Sequence, residues 1–219
     1  MYTLIIGNKN YSSWSLRPWL ALRAAGIPFR EKKLGLFTDD FARQLEHLTP
    51  AGLVPVLLDG DFAVWDSLAI CEYAAERHPD AQLWPAEPRA RARARSLAAQ
   101  MHSGFAQLRN VLPMNIEAHL PGIDISAAQQ DISRVQAVWH DTRAEFGRGG
   151  PFLFGRFSIT DAFYAPVVSR FVTYGVAAAG PVREYMDAVL SLPAMQDWMR
   201  DARAEATFVA EDEPYRSHR

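Results

Sequence analysis

The chain has 219 residues, of which 49% are hydrophobic and 22% charged, with a formal net charge of −2 at pH 7. That apolar content can bury one large core or two modest ones and excludes a disordered polymer. The near-neutral balance excludes a general electrostatic pull toward nucleic acid or an anionic membrane surface, and the single cysteine, Cys71, excludes an intrachain disulfide and a CxxC redox pair.

The pattern enters a strand at Tyr2-Thr3-Leu4-Ile5-Ile6, with no basic segment and long apolar run ahead of it. No later stretch is long and apolar enough to span a bilayer. A reducing, cytoplasmic setting with no membrane contact is therefore expected. Gly7 to Gly26 then reads as a polar turn followed by a helix, with Leu16, Leu20 and Ala24 at helical spacing, Pro18 early and Gly26 as the stop. Ser12, Ser13 and Ser15 thus fall where a strand hands over to a helix amino terminus, a place suited to an anion or a thiolate. Ser15 reads as a helix cap.

Residues 27–34 form a second strand pattern, compatible with parallel pairing through the intervening helix. Thr38, Asp39 and Asp40 open a short helix to Leu48. Two apolar runs around Asp59-Gly60 give a hairpin signal, with Pro55 at a strand's beginning or edge and a cis peptide after Val54 as an option local sequence does not decide. Asp66 caps a helix from Ser67 to about Arg77, in which Cys71 reads as a small core residue.

Residues 79–88 hold three prolines and no periodicity and form the expected linker between domains. Beyond it everything reads as helical. Arg89, Arg91, Arg93 and Arg95 point to different sides of a long helix to about Ala118, a solvated or salt-bridged face, and a bend or break is expected near Pro113. A helix follows over 126–146. Ser158 with Asp161 has the spacing of a capping box ahead of the apolar run Ala162–Phe171. Two shorter helices, 181–190 and 193–205, and a loosely held tail from Glu211 complete the reading. The histidines are scattered without metal-ligand spacing, so no metal is expected.

Taken in this order, the chain resembles the cytosolic glutathione transferase superfamily over nearly its whole length. The matching stretches are Tyr11-Ser12-Ser13-Trp14-Ser15-Leu16-Arg17-Pro18, Leu53-Val54-Pro55-Val56-Leu57, Asp66-Ser67-Leu68-Ala69-Ile70 and Ser158-Ile159-Thr160-Asp161. The resemblance implies an α/β thioredoxin-like amino-terminal domain (residues 1–78) joined by the linker to an all-α domain (residues 89–219), in a homodimer. It implies glutathione as cosubstrate and a small electrophile as second substrate.

The Ser-Ser-Trp-Ser run is similar to the Ser-Ser-Cys pattern of the zeta class, which points to Ser12 as thiolate donor with Ser13 second, and Trp14 stands where that class has cysteine. By the same resemblance Val54 and Pro55 hold the cysteinyl part of glutathione, while Asp66 and Ser67 hold its γ-glutamyl end. Lys33, His47 and Arg17 are candidates for the glycyl carboxylate. Tyr11, Trp14, Met101, His102 and Phe105 are candidates for the electrophile site, with core packing the alternative that is favoured for any one of Met101, His102 and Phe105 and packing an alternative for Tyr11. Glutathione-dependent isomerisation of the maleylacetoacetate type and a non-catalytic interaction role are the competing functions.

Overall fold

The computed structural model describes residues 1–218. Strand β1 (Tyr2–Ile6), helix α1 (Ser13–Ala24) and strand β2 (Phe29–Lys33) make a crossover unit with β1 and β2 parallel. Helix α2 (Asp39–Glu46) follows, then β3 (Val56–Asp59), β4 (Phe62–Trp65) and α3 (Ser67–Arg77). The sheet runs β2-β1-β3-β4, with β3 antiparallel to both of its neighbours. Successive side chains of a strand point to opposite faces. Accordingly Leu4 and Ile6 join the large core beneath α1 and α3, while Ile5 meets Val56, Leu34 and Leu45 on the α2 face.

The rest is helical: α4 (Pro88–Ser103), α5 (Ala106–Val111), α6 (Gln129–Phe146), α7 (Ile159–Thr173), α8 (Gly180–Ser191) and α9 (Pro193–Ala204). Helix α7 is buried on nearly every side and packs against α1, α4 and α8, which explains an apolar sequence without a polar stripe. Its start is fixed by Asp161, whose carboxylate accepts the Ser158 N–H and hydroxyl and the Leu153 N–H. The large core runs from β1 and α1 through α7 to α9 without interruption. The four-stranded mixed sheet with its helical partner is the thioredoxin-like plus all-α architecture. No helix among the described residues is long and apolar enough to cross a membrane.

The structure departs from the sequence reading at several points. The long helix after the linker is two helices, broken at Gly104 and Phe105; the second ends at Val111, just ahead of Pro113, where a break is expected. Phe105 takes a left-handed φ of +56°, and a Cβ on Gly104 would come within 2.7 Å of the Gln100 carbonyl oxygen. The tail is strapped down rather than loose, because Glu213, 5% exposed, accepts from Tyr11, Asn115 and Arg216. Ser15 is not the cap of α1; Ser12 is, its side chain accepting the Ser15 N–H.

Candidate active site

The turn from Gly7 to Ser12 is set by its backbone. Tyr11 N–H and Ser12 N–H both bond the Asn8 carbonyl, and the Asn8 side chain accepts the Leu36 N–H at 2.8 Å. Gly7 lets the Leu36 side chain pack close against the turn, since a Cβ there would lie 2.7 Å from a Leu36 methyl. The outer side of the turn is held by the last helix. Glu205 accepts the N–H groups of Lys9 and Asn10, and the Lys9 ammonium bridges Glu31 and Asp201 at 2.8 Å each.

This turn delivers two hydroxyls to the start of α1. Ser12 Oγ and Ser15 Oγ share a 2.7 Å hydrogen bond, and Ser15 Oγ also accepts the Gly7 N–H. Ser13 Oγ accepts from the Arg170 guanidinium at 3.3 Å. Tyr11 is a different case: its hydroxyl donates to Glu213 at 2.7 Å, and burial together with that contact pushes its pKa up to about 12. That phenol is committed to the tail.

Two cavities meet at Trp14, Leu53 and Val54. The first, of about 430 Å³, is lined by those residues with Pro55, Asp66 and Ser67. The Val54–Pro55 peptide is cis. Asp66 adopts φ +74° and ψ 132°, a sparsely populated backbone conformation for a residue other than glycine, and its Oδ1 caps the N–H groups of Leu68 and Ala69. Ser67 is 1% exposed and its Oγ has no hydrogen-bond partner among the described residues. An acceptor for an ammonium thus sits beside an unused hydroxyl at a helix amino terminus.

The second cavity, of about 440 Å³, has Tyr11, Ser12, Ser13 and Trp14 on one wall and Arg109, Arg170 and Asp212 on others. Arg170 is buried and donates to the Leu112 carbonyl as well as to Ser13, leaving Nη1 without a partner among the described residues. Burial, with Arg109 nearby, pulls its pKa down to about 10. Behind Trp14 lies Arg17, fully buried, with its guanidinium 4.0 Å from the indole centroid and none of its nitrogens bonded among the described residues. Desolvation, then Arg170 and Arg109, lower its pKa to about 9.

Several expected residues lie elsewhere. Met101 is fully buried and Phe105 nearly so; both belong to the large core, and neither lines either cavity. His102 lines neither cavity; its Nε2 lies 3.3 Å from Asp66 Oδ2. Of the candidates for the glycyl carboxylate, Lys33 pairs with Glu205 at 3.0 Å and Arg17 is sealed behind Trp14. Arg109, Arg170, Asp212 and Glu213 were not anticipated. A single arginine within the apolar run Ala162–Phe171 was the available signal for Arg170.

Comparison with known proteins bears on the family and the fold. Residues 11–77 match the family described as glutathione S-transferase, N-terminal domain, and residues 98–201 the corresponding C-terminal domain. The chain is 30% identical over 166 residues to glutathione S-transferase 1 of Dianthus caryophyllus, covering 74% of each chain. It is 34% identical over 103 residues to a probable maleylacetoacetate isomerase of Caenorhabditis elegans, a match spanning 47% of each, about half the length of that relative. A glutathione transferase homologue from Burkholderia, crystallised with bound glutathione, shares the fold at TM-score 0.68 and 24% identity, over 93% of this chain and 98% of the other. A thioredoxin-like unit with a polar helix-end site, backed by an all-α unit, is the class these findings define. The chain belongs to the glutathione S-transferase family.

Proposed function

We propose that this protein binds glutathione in the first cavity, holds its thiol as the thiolate and adds it to a small electrophile in the second. The observation that carries this is the shared wall: Ser12 and Ser13 line one cavity, Trp14 and Val54 line both, and Asp66 with Ser67 closes the far end of the other. Asp66 takes the γ-glutamyl ammonium, while the free Ser67 hydroxyl and the α3 amino terminus take its carboxylate. The Val54 backbone pairs with the cysteinyl unit by strand-like addition. The residue range 1–78 serves glutathione and 89–219 the electrophile.

A thiol resembling free cysteine has a pKa near ~8.5, so only a few per cent is ionised at neutral pH. Lowering it by about two units takes roughly 2.7 kcal/mol of preference for the anion, within reach of a charge-assisted hydroxyl bond plus a helix amino terminus. We assign the donor to Ser12. Ser12 Oγ donates to the fully buried Ser15 Oγ at 2.7 Å, and Ser15 Oγ also accepts the Gly7 N–H. Hydroxyls rotate to suit their partners, so a bound sulfur would take the Ser12 proton as Ser15 turns to donate to Ser12 Oγ. Ser13, steadied by Arg170, is the competing donor. Titrating the thiolate absorbance of bound glutathione in wild type, Ser12→Ala and Ser13→Ala tests this. A depressed pKa that rises with Ser12→Ala supports it; an unshifted pKa in all three overturns it.

One observation favours a second reading, glutathione-dependent cis–trans isomerisation. Arg109 and Arg170 face the second cavity against one carboxyl, Asp212, whose pKa is raised by burial and by Glu211 and Glu213. That wall suits an unsaturated carboxylate, to which the thiolate would add and from which it would leave after rotation about the carbon–carbon bond. Turnover of such an acid without consumption of glutathione distinguishes the two. A cytoplasmic homodimer engaged in detoxification is the setting of the transferase reading; chromatographic mass determination tests the pairing.

A further inference from the structure

Spacing along α1 places Arg17 one turn after Trp14, and helical side chains lean toward the amino terminus, so the guanidinium comes to rest against the indole. Its carbon lies 4.0 Å from the Trp14 centroid and 5.0 Å from that of Phe163 on α7. The side chain is fully buried, and neither Nε, Nη1 nor Nη2 has a hydrogen-bond partner among the described residues. Arg17 lines neither cavity, whereas Trp14 lines both. The cation is therefore held between two rings and reaches a ligand only through one of them.

We propose that Arg17 is a positioning residue for glutathione: its guanidinium stacks on Trp14 and fixes the indole as the wall against which the peptide lies. This rests on the transferase reading of the first cavity. A desolvated cation–π contact is worth about thirtyfold in an equilibrium constant, enough to hold a ring in one rotamer before a ligand arrives. The other ring contacts of Trp14 are looser, with His102 edge-on at 5.1 Å and the Arg109 guanidinium at 5.4 Å from the centroid.

Stability alone does not call for a charge at this position. A buried ion without hydrogen bonds carries a large desolvation cost, and apolar side chains of similar volume commonly replace buried charges with no loss of stability or with a gain. Methionine, unbranched and adaptable, would fill much of the same space between Trp14 and Phe163. What methionine lacks is the planar cation that stacks on an aromatic ring. A local rule broken without structural gain is the mark of a functional site. Without the stack, the indole would have to be ordered when glutathione binds, and ordering one such side chain costs about three- to tenfold in affinity.

The test measures glutathione affinity by calorimetry, melting temperature and the indole N–H resonance of Trp14 in wild type, Arg17→Met, Trp14→Leu and the double variant. Arg17→Met should raise the Kd for glutathione about three- to tenfold, hold or raise the melting temperature, and shift or broaden the Trp14 resonance, which is identified by its loss in Trp14→Leu. The pKa of the bound thiol should keep its wild-type value, because Ser12 and Ser13 are untouched. In the Trp14→Leu background, Arg17→Met should change the Kd by less than about twofold. Arg17→Lys keeps the charge without the planar stack and should lose less affinity, again only while Trp14 is present. Equal Kd in folded wild type and Arg17→Met, an unmoved Trp14 resonance, or the same loss in both backgrounds overturns the inference. A rise in the bound-thiol pKa with Arg17→Met also overturns it, since Arg17 would then act on the sulfur by charge. Failure of wild type to bind glutathione overturns the transferase reading and this inference with it, whereas the other outcomes leave that reading standing.

Discussion

Replacing Asp66 by asparagine should separate ligand binding from folding at one position. Asparagine caps a helix about as well as aspartate and has the same shape at the same backbone, so the start of α3 survives the exchange. What is removed is the charge offered to the γ-glutamyl ammonium. A hydrogen bond to a charged group contributes about 1.5–3 kcal/mol, and the Asp66 side chain is 44% exposed, so solvent screening places this one at the lower end. The expected loss is about 1.5 kcal/mol, or roughly tenfold in the Kd for glutathione. Thermal denaturation should be nearly unchanged in Asp66→Asn. Asp66→Ala should lose the same affinity and also about 1 kcal/mol of helix cap, lowering Tm by about 2–4 °C in a chain of this size. Calorimetric titration beside a melting curve reads both. Wild-type affinity in Asp66→Asn would refute the assignment of the ammonium to this carboxylate.

Other predictions test other parts of the fold. Burial lifts the Asp161 pKa to about 6, above the unfolded value near 3.9, so its contribution to stability is full below about pH 4 and lost as pH rises through 6. Between pH 7 and pH 5 wild type should gain about 1 kcal/mol in denaturant stability relative to Asp161→Asn, which has no such slope. The fully buried Cys71 thiol, its pKa raised by desolvation, should resist aromatic disulfide reagents in the native protein and react once per chain in denaturant. Glu213→Gln removes the charge shared by Tyr11, Asn115 and Arg216 and should cost about 2 kcal/mol, with faster trimming of the tail by carboxypeptidase. An unchanged trimming rate would mean that the tail is held by other contacts.

The parts of the fold that were legible in the sequence are those whose signals are local. Thr38 and Asp66 announce their helices because a cap acts on residues two or three positions away, and Asp59-Gly60 announces its hairpin because Gly60 takes φ +65°. The serine turn was legible for the same reason. Periodicity put Met101 and Phe105 on one helix face without saying what covers it; of the two alternatives, core packing is the one the structure shows. The break at Gly104 was missed because Phe105, a residue with no preference for left-handed backbone, is held there by tertiary packing. Arg170 and Glu213 act on the site from far along the chain, Glu213 bonding Tyr11 across 202 positions. No local pattern encodes such a partner.

The clasp on the Lys9–Asn10 turn has a consequence in the order of biosynthesis. Domains of a growing chain fold as they emerge, the amino-terminal part first. The strand and helix that flank Ser12 and Ser13 are made well before the carboxylates that grip their turn, Asp201 and Glu205, which lie 192 and 196 positions beyond Lys9. The turn therefore reaches its final geometry only after that distant segment has been made. A chain halted before Asp201 would carry the serines without the grip, so the turn is completed later than the elements on either side of it.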